Sequence, residues 1–139
     1  MKTILIVEDE LSYLNLLHKE LAAKGYTVVD AKDGQEGYDT AIRIHPDLII
    51  MDVLMQGVDG LTMLESLRSD KDGKSMKVII LTNLEPDNQL MQRVLKSKPL
   101  FFFVKSDIEL STLIADVEKE LADQEIQELV DDDEHKGIL

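Results

Sequence analysis

Three apolar runs in this chain end in charge. Ile4-Leu5-Ile6-Val7 leads into Glu8-Asp9, Leu48-Ile49-Ile50-Met51 into Asp52, and Leu100-Phe101-Phe102-Phe103-Val104 into Lys105. Laid side by side as parallel strands, they bring three carboxylates and one ammonium to one edge of a sheet, the edge where open α/β sheets bind ligands. Clustered carboxylates repel by about 4 kcal/mol per pair at about 4 Å and an effective dielectric of about 20, so the site calls for added positive charge. Magnesium fits, because it takes oxygen ligands in octahedral geometry and retains waters. Asp9, Asp52, the backbone carbonyl of Leu54 and waters would supply those oxygens, with Glu8 at second remove. A carboxylate beside such an ion can also attack phosphorus and form an acyl phosphate. Asp52 is then the nucleophile, Lys105 the counter-ion for the phosphoryl oxygens, and Thr82, at the end of Val78-Ile79-Ile80-Leu81, a hydroxyl donor at the same edge.

The elements that would position these groups alternate along the chain. Leu14, Leu17 and Leu21 recur at helical spacing, and Gly25 stands where a helix end favours positive φ. Tyr26 to Ala31 reads as a β-branched strand, and Asp33 with Glu36 as a capping box opening a helix toward Arg43, stopped by Pro46. Leu61, Leu64 and Leu67 mark a third helix, with a turn-rich segment from Ser69 to Ser75 after it. Pro86 suits a helix's first position, Leu90, Met91, Val94 and Leu95 its apolar face, and Lys98-Pro99 its end. Ser106 and Glu109 read as the cap of a last helix carrying Leu110, Leu113, Ile114, Val117 and Leu121. Five strands alternating with five helices predict a parallel sheet covered on both faces, an α/β fold.

At 139 residues one domain is expected, and the absence of cysteine excludes disulfides and thiolate metal sites. The apolar runs are too short to span a bilayer, and Met1-Lys2 leads directly into a strand, so membrane insertion is not expected and a cytoplasmic location is. A net charge of -13 argues against direct nucleic-acid binding. The acidity concentrates from Asp116 onward, where ten acids face only Lys119 and Lys136. The expected organisation is a domain over 1–122, then an acidic helix extension or disordered tail over 123–139.

Taken together, the pieces resemble the receiver domain of two-component response regulators, from about Lys2 to Leu121. They are the acidic pair Glu8-Asp9, Asp52 within Met51-Asp52-Val53-Leu54-Met55, the loop Gly57-Val58-Asp59-Gly60, Thr82 and Lys105, in family order. The resemblance implies a doubly wound (βα)5 flavodoxin-like three-layer sandwich with a five-stranded parallel sheet of order 2-1-3-4-5. It also implies magnesium dependence and phosphorylation of Asp52 by a histidine kinase or histidine phosphotransfer protein. Thr82 and the aromatic Phe102 would form the switch, and an output protein or a second copy would bind at the fourth helix, fifth strand and fifth helix. Such a chain is a signalling switch that promotes only its own phosphorylation and dephosphorylation.

Several positions depart from the family pattern. Gln56 and Ser106 stand where proline is usual, and Asn83 where a small residue is commoner. Leu54 and Leu84 put apolar bulk where the family controls water access to the acyl phosphate, and Phe102 lacks a tyrosine hydroxyl. Three other readings compete. A receiver-like scaffold that no longer handles phosphate keeps the same residues. An aspartyl-nucleophile phosphatase of the haloacid-dehalogenase kind needs a second Asp two residues after the first, where Leu54 stands. A flavin carrier needs phosphate-binding donors where Glu8-Asp9-Glu10-Leu11 presents acids.

Overall fold

The computed structural model describes residues 1–55, 59–85 and 87–137. Gln56, Gly57, Val58 and Pro86, and the expectations attached to them, lie outside the described residues. The elements run β1 (Thr3–Val7), α1 (Leu11–Ala23), β2 (Thr27–Ala31), α2 (Gly34–Ile44), β3 (Leu48–Met51), α3 (Gly60–Ser69), β4 (Val78–Thr82), α4 (Asn88–Lys96), β5 (Phe101–Val104) and α5 (Leu110–Gly137). By compactness the chain divides into Met1–Ile108 and Glu109–Leu139.

Within the first unit the five strands form one parallel sheet of order β2-β1-β3-β4-β5, as expected from the resemblance. β1, β3 and β4 are interior strands and almost wholly buried, which is why their sequences are continuously apolar rather than alternating. Alternate residues serve opposite faces of the sheet. Leu5, Val7, Ile49, Met51, Val78 and Ile80 pack with Ala41 of α2, Leu61, Met63, Leu64 and Leu67 of α3 and Val94 of α4. Ile6, Ile50 and Leu81 point the other way, toward Leu17 of α1.

Short polar side chains start α2, α3 and α4. Asp33 accepts from the Glu36 N–H at 2.8 Å, Asp59 from the Thr62 N–H at 2.7 Å and Asp87 from the Leu90 N–H at 2.7 Å. The capping box at α2 is shifted by one residue, since Glu36 reaches back to the Lys32 N–H, not to that of Asp33. Gly25 ends α1 with φ of 96°, and a Cβ there would meet nothing within 4 Å, so the residue is required by backbone conformation alone.

Two local expectations are corrected. Leu95 is 63% exposed and does not belong to the buried face of α4, which is represented in the core by Val94. A nine-residue helix at the sheet edge presents only a narrow stripe inward, and Leu95 falls beside it. The last helix starts at Leu110 rather than just after Ser106, because the Asp107 N–H closes a turn onto the Val104 carbonyl. In the second unit α5 continues to Gly137, and no glycine or proline interrupts it from Leu110 to Lys136.

Arg68, at the end of α3, fastens two connections. Its guanidinium donates to the carbonyls of Gly73, Lys74 and Met76 in the α3–β4 segment and to those of Ser97 and Lys98 after α4. Only a planar group with five donors can bridge so many acceptors at once. Arg68→Ala should lower the free energy of unfolding in urea by about 2–3 kcal/mol, and Arg68→Lys should recover little of the loss. An alanine variant as stable as the parent would show that water replaces these bonds at no cost.

Candidate functional site

The register determines what meets at the sheet edge. Val7 pairs with Met51 and Thr82 with Val104, so the residues immediately after β1, β3 and β5 emerge together beside the end of β4. Backbone bonds carry the ladder one step further. The Glu8 N–H donates to the Ala31 carbonyl, the Asp52 N–H to the Val7 carbonyl, and the Lys105 N–H to the Thr82 carbonyl at 2.8 Å. Gly60, the first residue of α3, lies so close beneath that a Cβ there would collide with the Asp52 carbonyl oxygen.

Lys105 joins the acids. Its Nζ donates to Glu8 Oε2 at 2.7 Å and to Asp52 Oδ2 at 2.8 Å, and all three side chains are nearly inaccessible to water. The remaining oxygens are engaged too: Asp52 Oδ1 accepts the Leu54 N–H at 2.8 Å and Glu8 Oε1 the Glu10 N–H at 3.1 Å. Burial pushes the Glu8 pKa up. The Lys105 hydrogen bond opposes that shift, and the Asp52 charge reinforces it. For Lys105 burial works to lower the pKa, but the hydrogen bonds and charges of Asp52 and Glu8 prevail and hold it above the ordinary lysine value. Two acids against one base leave this buried cluster with surplus negative charge.

The other expected residues stand at differing distances from that cluster. Asp9 is exposed beside it. Leu54 lends its N–H to Asp52 while its side chain is 58% exposed. Thr82 is fully buried, and its hydroxyl oxygen accepts the Leu84 N–H at 3.2 Å. Phe102 pairs with Ile80, on the same sheet face as Thr82, and is partly buried against the core. Leu54 and Leu84 line one pocket of about 250 Å³ with Val53, Met55, Asp59, Leu61, Leu90 and Arg93. Among the described residues, no group of three acidic or histidine side chains is gathered as a ready metal cage.

Two features lay beyond the sequence. The Lys105 ammonium sits over the ring of Tyr13, 4.5 Å from its centroid. The only sequence signal for this is an aromatic in the first turn of the helix that follows the acidic pair. Asn83 and Ser106, both departures from the family pattern, turn out to be partners, the Ser106 N–H donating to Asn83 Oδ1 at 3.0 Å. A proline at 106 has no such hydrogen to give. The Lys105–Ser106 bond is trans.

A family model of the response regulator receiver domain matches residues 4–118. The chain belongs to that family. Among curated relatives, this receiver domain is 37% identical over 84 residues to the DNA-binding dual master transcriptional regulator RpaA of Synechocystis sp., a match covering 60% of this chain and 35% of that protein. The chain spans about a third or less of the length of the curated relatives it matches. Among solved structures it is similar to chemotaxis protein CheY4 of Vibrio cholerae, with a TM-score of 0.76 and 26% identity over 86% of this chain and 98% of that one. It is also similar to response regulator TrrA of Thermotoga maritima in complex with Mg(2+)-BeF, with a TM-score of 0.73 and 30% identity over 86% of this chain and 99% of that one.

The receiver's surplus charge has a stability signature. A carboxyl whose pKa is raised by folding binds its proton more tightly in the native state, so the stability associated with Glu8 falls as pH rises from the ordinary glutamate range through the raised value. Without divalent cations, Glu8→Gln should therefore melt a few degrees higher than the parent at neutral pH, the difference vanishing in acid. A variant that melts lower at neutral pH would show that the Lys105 pairing outweighs burial.

The Asn83–Ser106 bond predicts non-additivity. Asn83→Ala and Ser106→Pro should each cost about 0.5–1.5 kcal/mol in urea unfolding, and the double variant no more than the larger single effect. Additive losses would mean that the two residues act separately.

Proposed function

We propose that this receiver domain accepts a phosphoryl group on Asp52 and passes the event to a protein-binding surface. The observation that carries the reading is the buried Asp52 carboxylate at the sheet edge, held by the Lys105 ammonium at 2.8 Å and the Leu54 N–H at 2.8 Å. Both contacts orient the carboxylate before reaction, and Lys105 supplies fixed positive charge where a phosphoryl group would bring negative charge. An Asp52 oxygen attacks phosphorus while the bond to the donor breaks. If the donor is a phosphohistidine of a histidine kinase or phosphotransfer protein, the leaving imidazole nitrogen keeps the bonding pair and later takes a proton from solvent.

Magnesium belongs to this proposal. The donors are all hard oxygens, and the surplus negative charge of Glu8 and Asp52 over Lys105 is what a divalent cation would relieve. Asp9, Asp52 and the Leu54 backbone carbonyl would hold the ion, with Glu8 behind them. When bound, it offsets the charge of the carboxylates and of the phosphoryl oxygens. Lys105 keeps its donors directed at the oxygens of the site throughout.

The response would pass through Thr82, whose buried hydroxyl lies at the same edge, and through Phe102 on the same sheet face. The proposed partner surface lies on α4 and β5, where Leu95, Leu100 and Phe101 are exposed. An output protein or a second copy of the chain would bind there. Among the described residues no helix is long and apolar enough to cross a membrane.

Incubation with magnesium and phosphoramidate, followed by intact mass, tests the reading. One phosphoryl adduct is expected on the wild type and none on Asp52→Asn. An unmodified wild type would leave the scaffold reading in its place, and an adduct persisting on Asp52→Asn would move the acceptor elsewhere.

A further inference from the structure

The Lys105 ammonium has three hydrogens to place, and two go to Glu8 and Asp52. On a remaining side is an aromatic face: Tyr13, half-buried in the first turn of α1, puts its ring centroid 4.5 Å from Nζ. That is well inside the distance at which a ring quadrupole attracts a cation, and the attraction is strongest where water is excluded, as around this nearly buried lysine.

The nature of this third neighbour matters. A third carboxylate would grip the ammonium harder but add a negative charge to a cluster that already has a surplus. An alkyl side chain would fill the space but leave the cation facing an inert wall. A ring face attracts without adding net charge, so the whole positive charge of Lys105 stays available to oxygens arriving at Asp52. Its attraction is also broad in direction, unlike that of a lone pair. The ammonium can therefore turn from Asp52 Oδ2 toward a phosphoryl oxygen without losing its hold on the ring.

We propose that Tyr13 is a positioning residue for phosphoryl transfer, its ring face serving as the seat on which the Lys105 ammonium is held and turned between Glu8, Asp52 and the incoming phosphoryl group. The proposal rests on the reading of Asp52 as phosphoacceptor and adds to it a residue that acts only through Lys105. The environment of the tyrosine agrees. Burial raises the pKa of its hydroxyl, so the ring stays neutral and brings no third anion to the cluster.

The test varies the electrons of the ring while keeping its shape. Tyr13→Phe serves as the reference, followed by 3,5-difluoro- and pentafluorophenylalanine at position 13 and by Tyr13→Leu. Initial rates of Asp52 phosphorylation by phosphoramidate are read by intact mass, and beryllofluoride affinity provides a second readout for variants too slow to follow. With the ring as seat, both quantities fall stepwise with fluorination, Tyr13→Leu loses about three- to thirtyfold relative to Tyr13→Phe, and the whole series goes flat in a Lys105→Ala background. A series flat on the Lys105 protein, or one that falls equally in Lys105→Ala, overturns the proposal and leaves Tyr13 as packing. A wild type that takes no phosphoryl group removes the function of Asp52 itself, and the role of Tyr13 with it.

Discussion

The arrangement around Asp52 depends on one constraint: two carboxylates and a single ammonium share a space nearly closed to water. Each charge alone would be costly there, and the pairing works because Lys105 reaches both acids while backbone N–H groups take the oxygens it leaves. The charges do not balance, and the Glu8 pKa stays raised, chiefly by burial and further by the Asp52 charge. A fold selected only for stability would have no use for that surplus. Under the proposed function, a cation and a phosphoryl group arriving at this edge would draw on it, at the expense of part of the native stability.

The backbone shows how such a cluster is assembled without strain. Three strands of different sequence end at one level because their registers are locked by buried neighbours, and each ladder is prolonged by one hydrogen bond into the loop that carries the charge. The close approach of α3 to the Asp52 carbonyl needs glycine at 60. The charged residues thus sit on short extensions of rigid strands rather than on free loops, which is the condition for fixed geometry at a site.

Much of this was legible in the chain. Buried parallel strands must be apolar throughout, and Ile4 to Val7, Leu48 to Met51 and Val78 to Leu81 announce themselves on that ground. The acids after the first two, and Lys105 after the Phe-rich run, read as neighbours because a parallel sheet puts all strand ends of one sense on one edge. What stayed hidden depends on side-chain reach across elements. Nothing in the spacing of Tyr13 and Lys105 says that a ring on α1 lies under an ammonium after β5. Asn83 and Ser106 look like two unrelated oddities until their loops are brought together. Arg68 reads as a surface residue at a helix end, and its five carbonyls come from segments that the linear pattern describes only as turns. The exposure of Leu95 and the start of α5 escape the linear pattern for a related reason, since a helix's apolar stripe and its first turn are settled by neighbours that periodicity does not see.

The grip of Arg68 on the carbonyls of Ser97 and Lys98 has a mechanical meaning. It clamps the far end of α4 to α3, whereas the near end of α4 follows directly on the segment that leaves Thr82. A rod fixed at one end and pushed at the other does not slide but swings, and the swing grows with distance from the clamp. A small displacement at the loop beside the acids would thus be delivered as a change of angle. The first turn of the helix, at Leu90 and Met91, would travel farthest.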